Sequence, residues 1–199
     1  KLVSEGKIPY KDFFFAHPPL QIYLIALIYK LFGFNIVALK LIPLLSTLIT
    51  AFFVFKIAQK FGNMEAVTAS LLFLSSYSVM FNSVFSFGID AAAMFLVIGV
   101  YFLHNSRSYW IAGLLFGLAG ITRLLSLIPT AVILILAFFS DKKNFFKLSS
   151  GFLAVFLAVN AVFFAVAGND YLASAYKYHF QKTFGAKENV KEYVDIEFA

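Results

Sequence analysis

The chain has 199 residues, of which 61% are apolar and 13% charged. A soluble domain carries about 45–50% apolar and about 25% charged residues, so an ordinary water-soluble globule and a disordered chain are both excluded, leaving a membrane protein. With no Cys there is neither a disulfide framework nor a thiolate metal site, and the net charge of +6 includes no Lys/Arg block long enough to grip nucleic acid.

In chain order, the first apolar segment is Leu20–Tyr29, preceded by the Pro18-Pro19 pair and followed by Lys30. Proline suits a first helical turn, and the segment is too short to cross a bilayer, so it predicts a helix lying in the interface, with Tyr10, Tyr23 and Tyr29 in the aromatic belt. A crossing needs about 20 apolar residues at about 1.5 Å each. Ile36–Phe55, Ala66–Phe81, Phe85–Leu103 with Asp90 inside it, and Leu148–Ala167 are read as spans. Tyr109–Phe139 is apolar for 31 residues apart from Arg123. A single helix of that length would measure about 46 Å, so the stretch predicts a hairpin turning at Arg123. Its arms, Tyr109–Thr122 and Leu124–Phe139, are short, which places the turn below one membrane surface. An arginine at that depth costs several kcal/mol unless paired or hydrated, and this makes Arg123 a candidate functional residue. Gly113, Gly117 and Gly120 form a small-residue stripe suited to close packing against the partner arm.

The predicted fold class is therefore all-α, a polytopic helical membrane protein of the cell membrane. Lys56, Lys60, Arg107, Lys142, Lys143 and Lys147 fall in loops on one side, and the short loops on the other contain only Arg123. The positive-inside rule then puts residues 1–35 and 168–199 outside, flanking a transmembrane region at 36–167. Lys1 in place of Met and the mixed polar stretch ending at Ala199 lead us to expect a piece of a longer protein.

No glycine-rich nucleotide loop follows a strand pattern, no H-E-x-x-H occurs, and the three histidines are scattered, so nucleotide-binding domains and simple zinc hydrolases drop out. The polar groups collect on the outer side: Asp12, His17, Asp90, Arg123, Asp170, Tyr178, His179 and Lys182. Among them runs Gly6-Lys7-Ile8-Pro9-Tyr10-Lys11-Asp12, then His17-Pro18-Pro19-Leu20 and, after the short helix, Leu31-Phe32-Gly33. This pattern resembles the first outer loop of the polytopic C-type-fold glycosyltransferases, the superfamily of protein O-mannosyltransferases and aminoarabinose transferases.

The resemblance implies a C-type transmembrane bundle and an inverting transfer of sugar from a polyprenyl-phosphate donor to a protein, lipid or glycan hydroxyl at the extracytoplasmic face. Asp12 takes the place of the family's loop acid, as general base or acceptor-positioning group; a turn or cap role accounts for it equally. Relatives carry an acidic pair earlier in this loop, a position that would precede Lys1. His17 occupies the motif's basic position, near the donor phosphate, and Arg123 the place of a cation after a glycine-rich helix, where a phosphate would be its partner. A structural ion pair with Asp90 is the alternative for Arg123. Asp90 is a candidate to support the site or hold a divalent metal, and Tyr178 and His179 are candidate substrate contacts, although a juxtamembrane amphipathic helix explains that pair as well. A transporter or flippase for a lipid-linked or anionic substrate, with Arg123 in a broken hairpin, is the competing function. A purely structural membrane subunit would need neither a buried Arg nor a buried Asp.

Overall fold

The computed structural model describes residues 1–84, 88–105, 107–179 and 181. Among these the secondary structure is helical, with no strand beyond an isolated bridge between Pro9 and Phe13. The helices are α1 (Leu20–Phe32), α2 (Ile36–Leu39), α3 (Leu41–Ala58), α4 (Asn63–Ser75), α5 (Tyr77–Asn82), α6 (Ile89–His104), α7 (Tyr109–Thr122), α8 (Leu127–Ser140) and α9 (Lys142–Leu172). Their starts follow from local chemistry. Pro19 leads into α1, and the Asn35 side chain accepts from the amides of Val37 and Ala38 to open α2. Asp141 does the same for α9 through Lys143 and Asn144. Pro43 and Pro129 lie in first turns, where their missing N–H has no intrahelical partner to lose.

Two segments, Ile36–Phe61 and Lys142–Lys177, are long and apolar enough to cross a membrane. By contrast α1, α6, α7 and α8 have 13, 16, 14 and 14 residues. At about 1.5 Å per residue they fall short of about 30 Å of hydrocarbon. The apolar stretch at 109–139 is interrupted at Arg123, whose backbone is extended (φ −151°, ψ 127°), and a 3-10 turn over Leu124–Ser126 leads into α8. The span read at Ala66–Phe81 is broken at Ser76 (φ −62°, ψ 128°) into α4 and α5. There the Ser75 hydroxyl donates to the Leu72 carbonyl at 3.2 Å, diverting an acceptor near the end of α4. Of the span read at Phe85–Leu103, the first three residues lie outside the described ones and α6 begins at Ile89.

Most large apolar side chains point outward, and small or hydroxylated ones fill many of the buried positions. Leu48 and Phe52 of α3, Val132 and Ile135 of α8, and Leu157 and Val162 of α9 are exposed, whereas Thr47, Thr50, Ala112, Ala119, Thr122 and Thr130 are buried. This inversion suits a lipid-facing surface, because in hydrocarbon helices gain by close backbone approach and shared polar contacts instead of by hiding apolar area. The closest approach is between α7 and α9. A Cβ on Gly113 would lie 2.1 Å from the Leu148 carbonyl oxygen, and one on Gly151 would lie 2.3 Å from that of Trp110. The glycine stripe thus packs mainly on α9; Gly120 alone of the three reaches the second arm, at Leu127. Ala112, Phe116 and Leu148 form the buried centre of this contact, and Phe116 also fills the space beside Gly99 of α6.

Candidate functional site

The first loop folds before α1 begins. The Asp12 carboxylate accepts from the Ile8 amide at 2.6 Å, the Asp12 amide returns a bond to the Ile8 carbonyl at 2.9 Å, and the Tyr10 amide donates to Phe13 O at 2.8 Å. Tyr10 takes φ 71° within this turn. Its ring is 4% exposed, edge-on to Tyr171 at 4.8 Å and to Phe163 at 5.5 Å, and its hydroxyl donates to the His17 carbonyl at 2.6 Å. Burial pushes the Tyr10 phenol well above its ordinary value, so it acts as a neutral donor. The turn therefore fixes the backbone of His17, and the buried Pro18 and Pro19 carry it into α1.

A second route to the same place comes from the end of α9. Gly168 adopts φ 55°, ψ −132°, a conformation closed to side chains, and the helix doubles back there. The reversal follows from contacts: Tyr171 donates to the Asn160 side-chain oxygen at 2.7 Å, and Tyr176 donates to the same atom. Sixteen residues of straight helix would hold Tyr176 about 24 Å from Asn160. The returning segment passes through a π-helical turn, Ala173–Lys177, and delivers His179 to His17. The two imidazoles stack with centroids 5.0 Å apart, and His17 Nδ1 lies 3.2 Å from His179 Nε2.

The third component is Arg123. Its amide donates to Ala119 O at 2.9 Å, and its carbonyl accepts from both the amide and the hydroxyl of Ser126, at 3.1 and 2.7 Å. Locked on both sides, the residue brings Nη1 to 3.5 Å from His17 Nε2. Three nitrogenous side chains from the first loop, the α7–α8 link and the returning segment thus meet at one end of the bundle. His179 Nε2 also contacts the Ala16 carbonyl, the Arg123 guanidinium can only donate, and the imidazole nitrogens donate or accept according to their tautomer. A guanidinium beside two imidazoles suits an anion with several acceptor oxygens, such as a phosphate.

Beside the cluster, Pro19, Leu20, Tyr23, Ile121, Val159 and Phe163 line an apolar groove of about 240 Å³. Asp90, in the first turn of α6, is 8% exposed; the Thr47 hydroxyl donates to its Oδ1 at 3.4 Å, and with Thr50, Ser78 and Asn82 it lines a separate cavity of about 200 Å³. Among the described residues the only ion pair is Lys1 with Glu5 at 3.6 Å, so Asp90 is anchored to Thr47 of α3 and not to Arg123. No group of three His, Asp or Glu side chains converges among the described residues, and a cation at Asp90 would find one carboxylate there. Asp12 and Asp170 are exposed, and Tyr178 packs edge-on against Phe14 at 5.4 Å and His179 at 5.8 Å. Lys182 lies outside the described residues.

The sequence reading missed the Tyr10–Tyr171–Tyr176–Asn160 support and the reversal at Gly168. A signal existed: Gly168-Asn169-Asp170 is a helix-stop tripeptide, and Asn160 is a lone amide inside an apolar span. Residues 16–167 match the family model described as dolichyl-phosphate-mannose-protein mannosyltransferase. No curated protein and no solved structure matches the chain.

Proposed function

The chain belongs to the dolichyl-phosphate-mannose-protein mannosyltransferase family, multi-pass membrane glycosyltransferases, and from that premise we propose that the His17–His179–Arg123 cluster holds the phosphate of a polyprenyl-phosphate sugar donor. The observation that carries the reading is the convergence of these three side chains beside an apolar groove. The groove seats the first prenyl units of the donor, while the Arg123 guanidinium and the imidazole N–H groups meet its phosphate at the membrane surface. On the positive-inside assignment this end of the bundle is extracytoplasmic.

In the reaction, the acceptor hydroxyl oxygen forms a bond to the anomeric carbon as the bond from that carbon to the phosphate oxygen breaks. The hydroxyl proton passes to a carboxylate, and the electron pair leaves with the polyprenyl phosphate. Attack opposite the leaving group inverts the anomeric centre. Arg123 and His17 stabilise the charge that grows on the departing phosphate, and His179 holds the His17 ring in place. Asp12 is the proton acceptor or acceptor-positioning group that this chain supplies; one of its oxygens accepts from Ile8, and its exposed position leaves it open to an incoming hydroxyl. Asp90, with its hydroxyl and amide neighbours, supports the site from α6 or contributes one ligand to a divalent metal.

The test is transfer of radiolabelled sugar from synthetic polyprenyl-phosphate donors by the full-length protein in detergent. Labelled acceptor that depends on His17 and Arg123 is expected. Movement of labelled lipid across sealed vesicles with no transfer to any acceptor would favour the flippase instead.

A further inference from the structure

The opposite end of the bundle contains a cavity that the transferase reading does not use. It has a volume of about 280 Å³ and lies where α6 and α8 end and α7 and α9 begin. Its floor is apolar, formed by Leu103, Ile133, Leu136 and Ala137, and its rim carries Tyr109, Ser140, Asp141 and Asn144. The one acid at the rim is already committed. Asp141 Oδ1 accepts from the amides of Lys143 and Asn144 at 2.9 and 3.3 Å, and Oδ2 accepts from the Asn144 side-chain amide at 2.7 Å. The hydroxyls of Tyr109 and Ser140, in contrast, make no hydrogen bond among the described residues.

Near this mouth the basic side chains outnumber the acid. Arg107 precedes α7, and Lys142, Lys143 and Lys147 occupy the first two turns of α9; all four are exposed, and from Arg107 to Lys147 the only acid in the sequence is Asp141. Apolar floor, hydroxyl rim and cationic surround occur together at the level where, in a membrane, acyl chains meet headgroups.

We propose that this cavity binds an anionic glycerophospholipid of the cytoplasmic leaflet, with an acyl chain against Leu103, Ile133, Leu136 and Ala137 and the phosphate among Lys143, Lys147, Arg107 and the Tyr109 and Ser140 hydroxyls. The proposal rests on the membrane reading and its orientation, not on sugar transfer. A zwitterionic lipid fills the apolar floor equally well, but its ammonium group offsets the phosphate charge among these cations, and this charge difference selects the anionic one. The donor is not the occupant, because the His17–Arg123 cluster lies at the other end of α7.

Native mass spectrometry of the full-length protein, released from detergent with phosphatidylglycerol or phosphatidylcholine and with no sugar donor present, tests this directly. The wild type is expected to retain one phosphatidylglycerol in preference to phosphatidylcholine. Lys143→Gln with Lys147→Gln should weaken that retention about 25-fold, about fivefold for each charge removed from the lipid surface. Ala137→Trp and, as a second filling variant, Ile133→Phe should displace the lipid with every charge still present, with thermal unfolding confirming that at least one is folded. Equal retention of the two lipids would overturn the proposal. So would phosphatidylglycerol retained at the wild-type level by a folded filling variant, which would reduce the effect to adsorption on surface cations. Transfer activity measured in parallel keeps the two claims apart, since lipid retention is read without a donor.

Discussion

Replacing Arg123 by Ala removes a guanidinium that lies 3.5 Å from His17 Nε2 and leaves intact what shapes the turn around it. The bonds that fix the backbone, from the Arg123 amide to Ala119 and from Ser126 to the Arg123 carbonyl, do not involve the side chain. Stability should therefore fall by less than about 1 kcal/mol, which shifts the midpoint by about 2–4 °C at this chain length. Donor binding should suffer more. A hydrogen bond to a charged group contributes about 1.5–3 kcal/mol, which corresponds to about 10- to 150-fold weaker binding of a polyprenyl phosphate. Arg123→Lys should recover part of this, because a point charge still attracts phosphate without the planar fork. The assay is equilibrium binding of labelled polyprenyl phosphate, with thermal unfolding measured on the same preparations. Because Asp90 is bonded to Thr47, Asp90→Asn combined with Arg123→Ala should be additive within about 0.5 kcal/mol. The reasoning is refuted if Arg123→Ala costs several kcal/mol of stability that Asp90→Asn restores while donor affinity stays unchanged, the signature of a structural ion pair.

Asp12→Asn should lower transfer by about 10²–10⁴ with unfolding unchanged, and near-normal turnover by the folded variant would remove Asp12 from the role of base. Gly113→Ala should destabilise the α7–α9 contact by about 1–3 kcal/mol or more, since its Cβ would meet the Leu148 carbonyl at 2.1 Å; an unchanged midpoint would show that the helices stand further apart. Tyr10→Phe should cost about 1 kcal/mol through the lost bond to His17 and lower transfer by misplacing that ring. The Tyr10 phenol is raised above 10.0 by burial, so folded protein holds its proton where the unfolded chain releases it. Its contribution is complete below about pH 10 and fades as pH climbs above that value, an alkaline sensitivity that Tyr10→Phe should reduce in unfolding curves. Cysteines placed at Gly6 and Asn63 should be labelled from opposite sides of sealed cells, and labelling from one side would invert the orientation.

Hydropathy revealed the helical membrane bundle because long apolar runs have few other solutions in lipid. The interruption at Arg123 was equally legible, since an apolar stretch of 31 residues is too long for one crossing and places its only charge in the middle. The break at Ser76 was hidden: a serine pair in an apolar run reads as helix unless its backbone competition is seen. The glycine stripe announced close packing, but the partner expected for it, the second arm of the hairpin, gives way mainly to α9, which depends on how α9 returns across α7. His17 and Arg123 could be named from a motif and from the cost of a buried charge. The meeting of His17 with Arg123 and His179 could not, because they lie 106 and 162 residues away in the chain and His179 is brought back by the reversal at Gly168 and the Tyr171 and Tyr176 bonds to Asn160. The turn role read as an alternative for Asp12 has a visible basis in its bond to Ile8, and that bond is compatible with the chemical role proposed for the other oxygen.

The donor site is tested most directly by photocrosslinking a sugar-free polyprenyl phosphate, with its photoreactive group on the first prenyl unit, to the full-length protein and sequencing the labelled peptides. Label is expected on the segments around Pro19–Tyr23, Ile121 and Val159–Phe163, and it should be lost when His17 and Arg123 are both replaced by Ala. Label confined to other segments, or undiminished in that double variant, would contradict the placement of the donor phosphate at His17, His179 and Arg123.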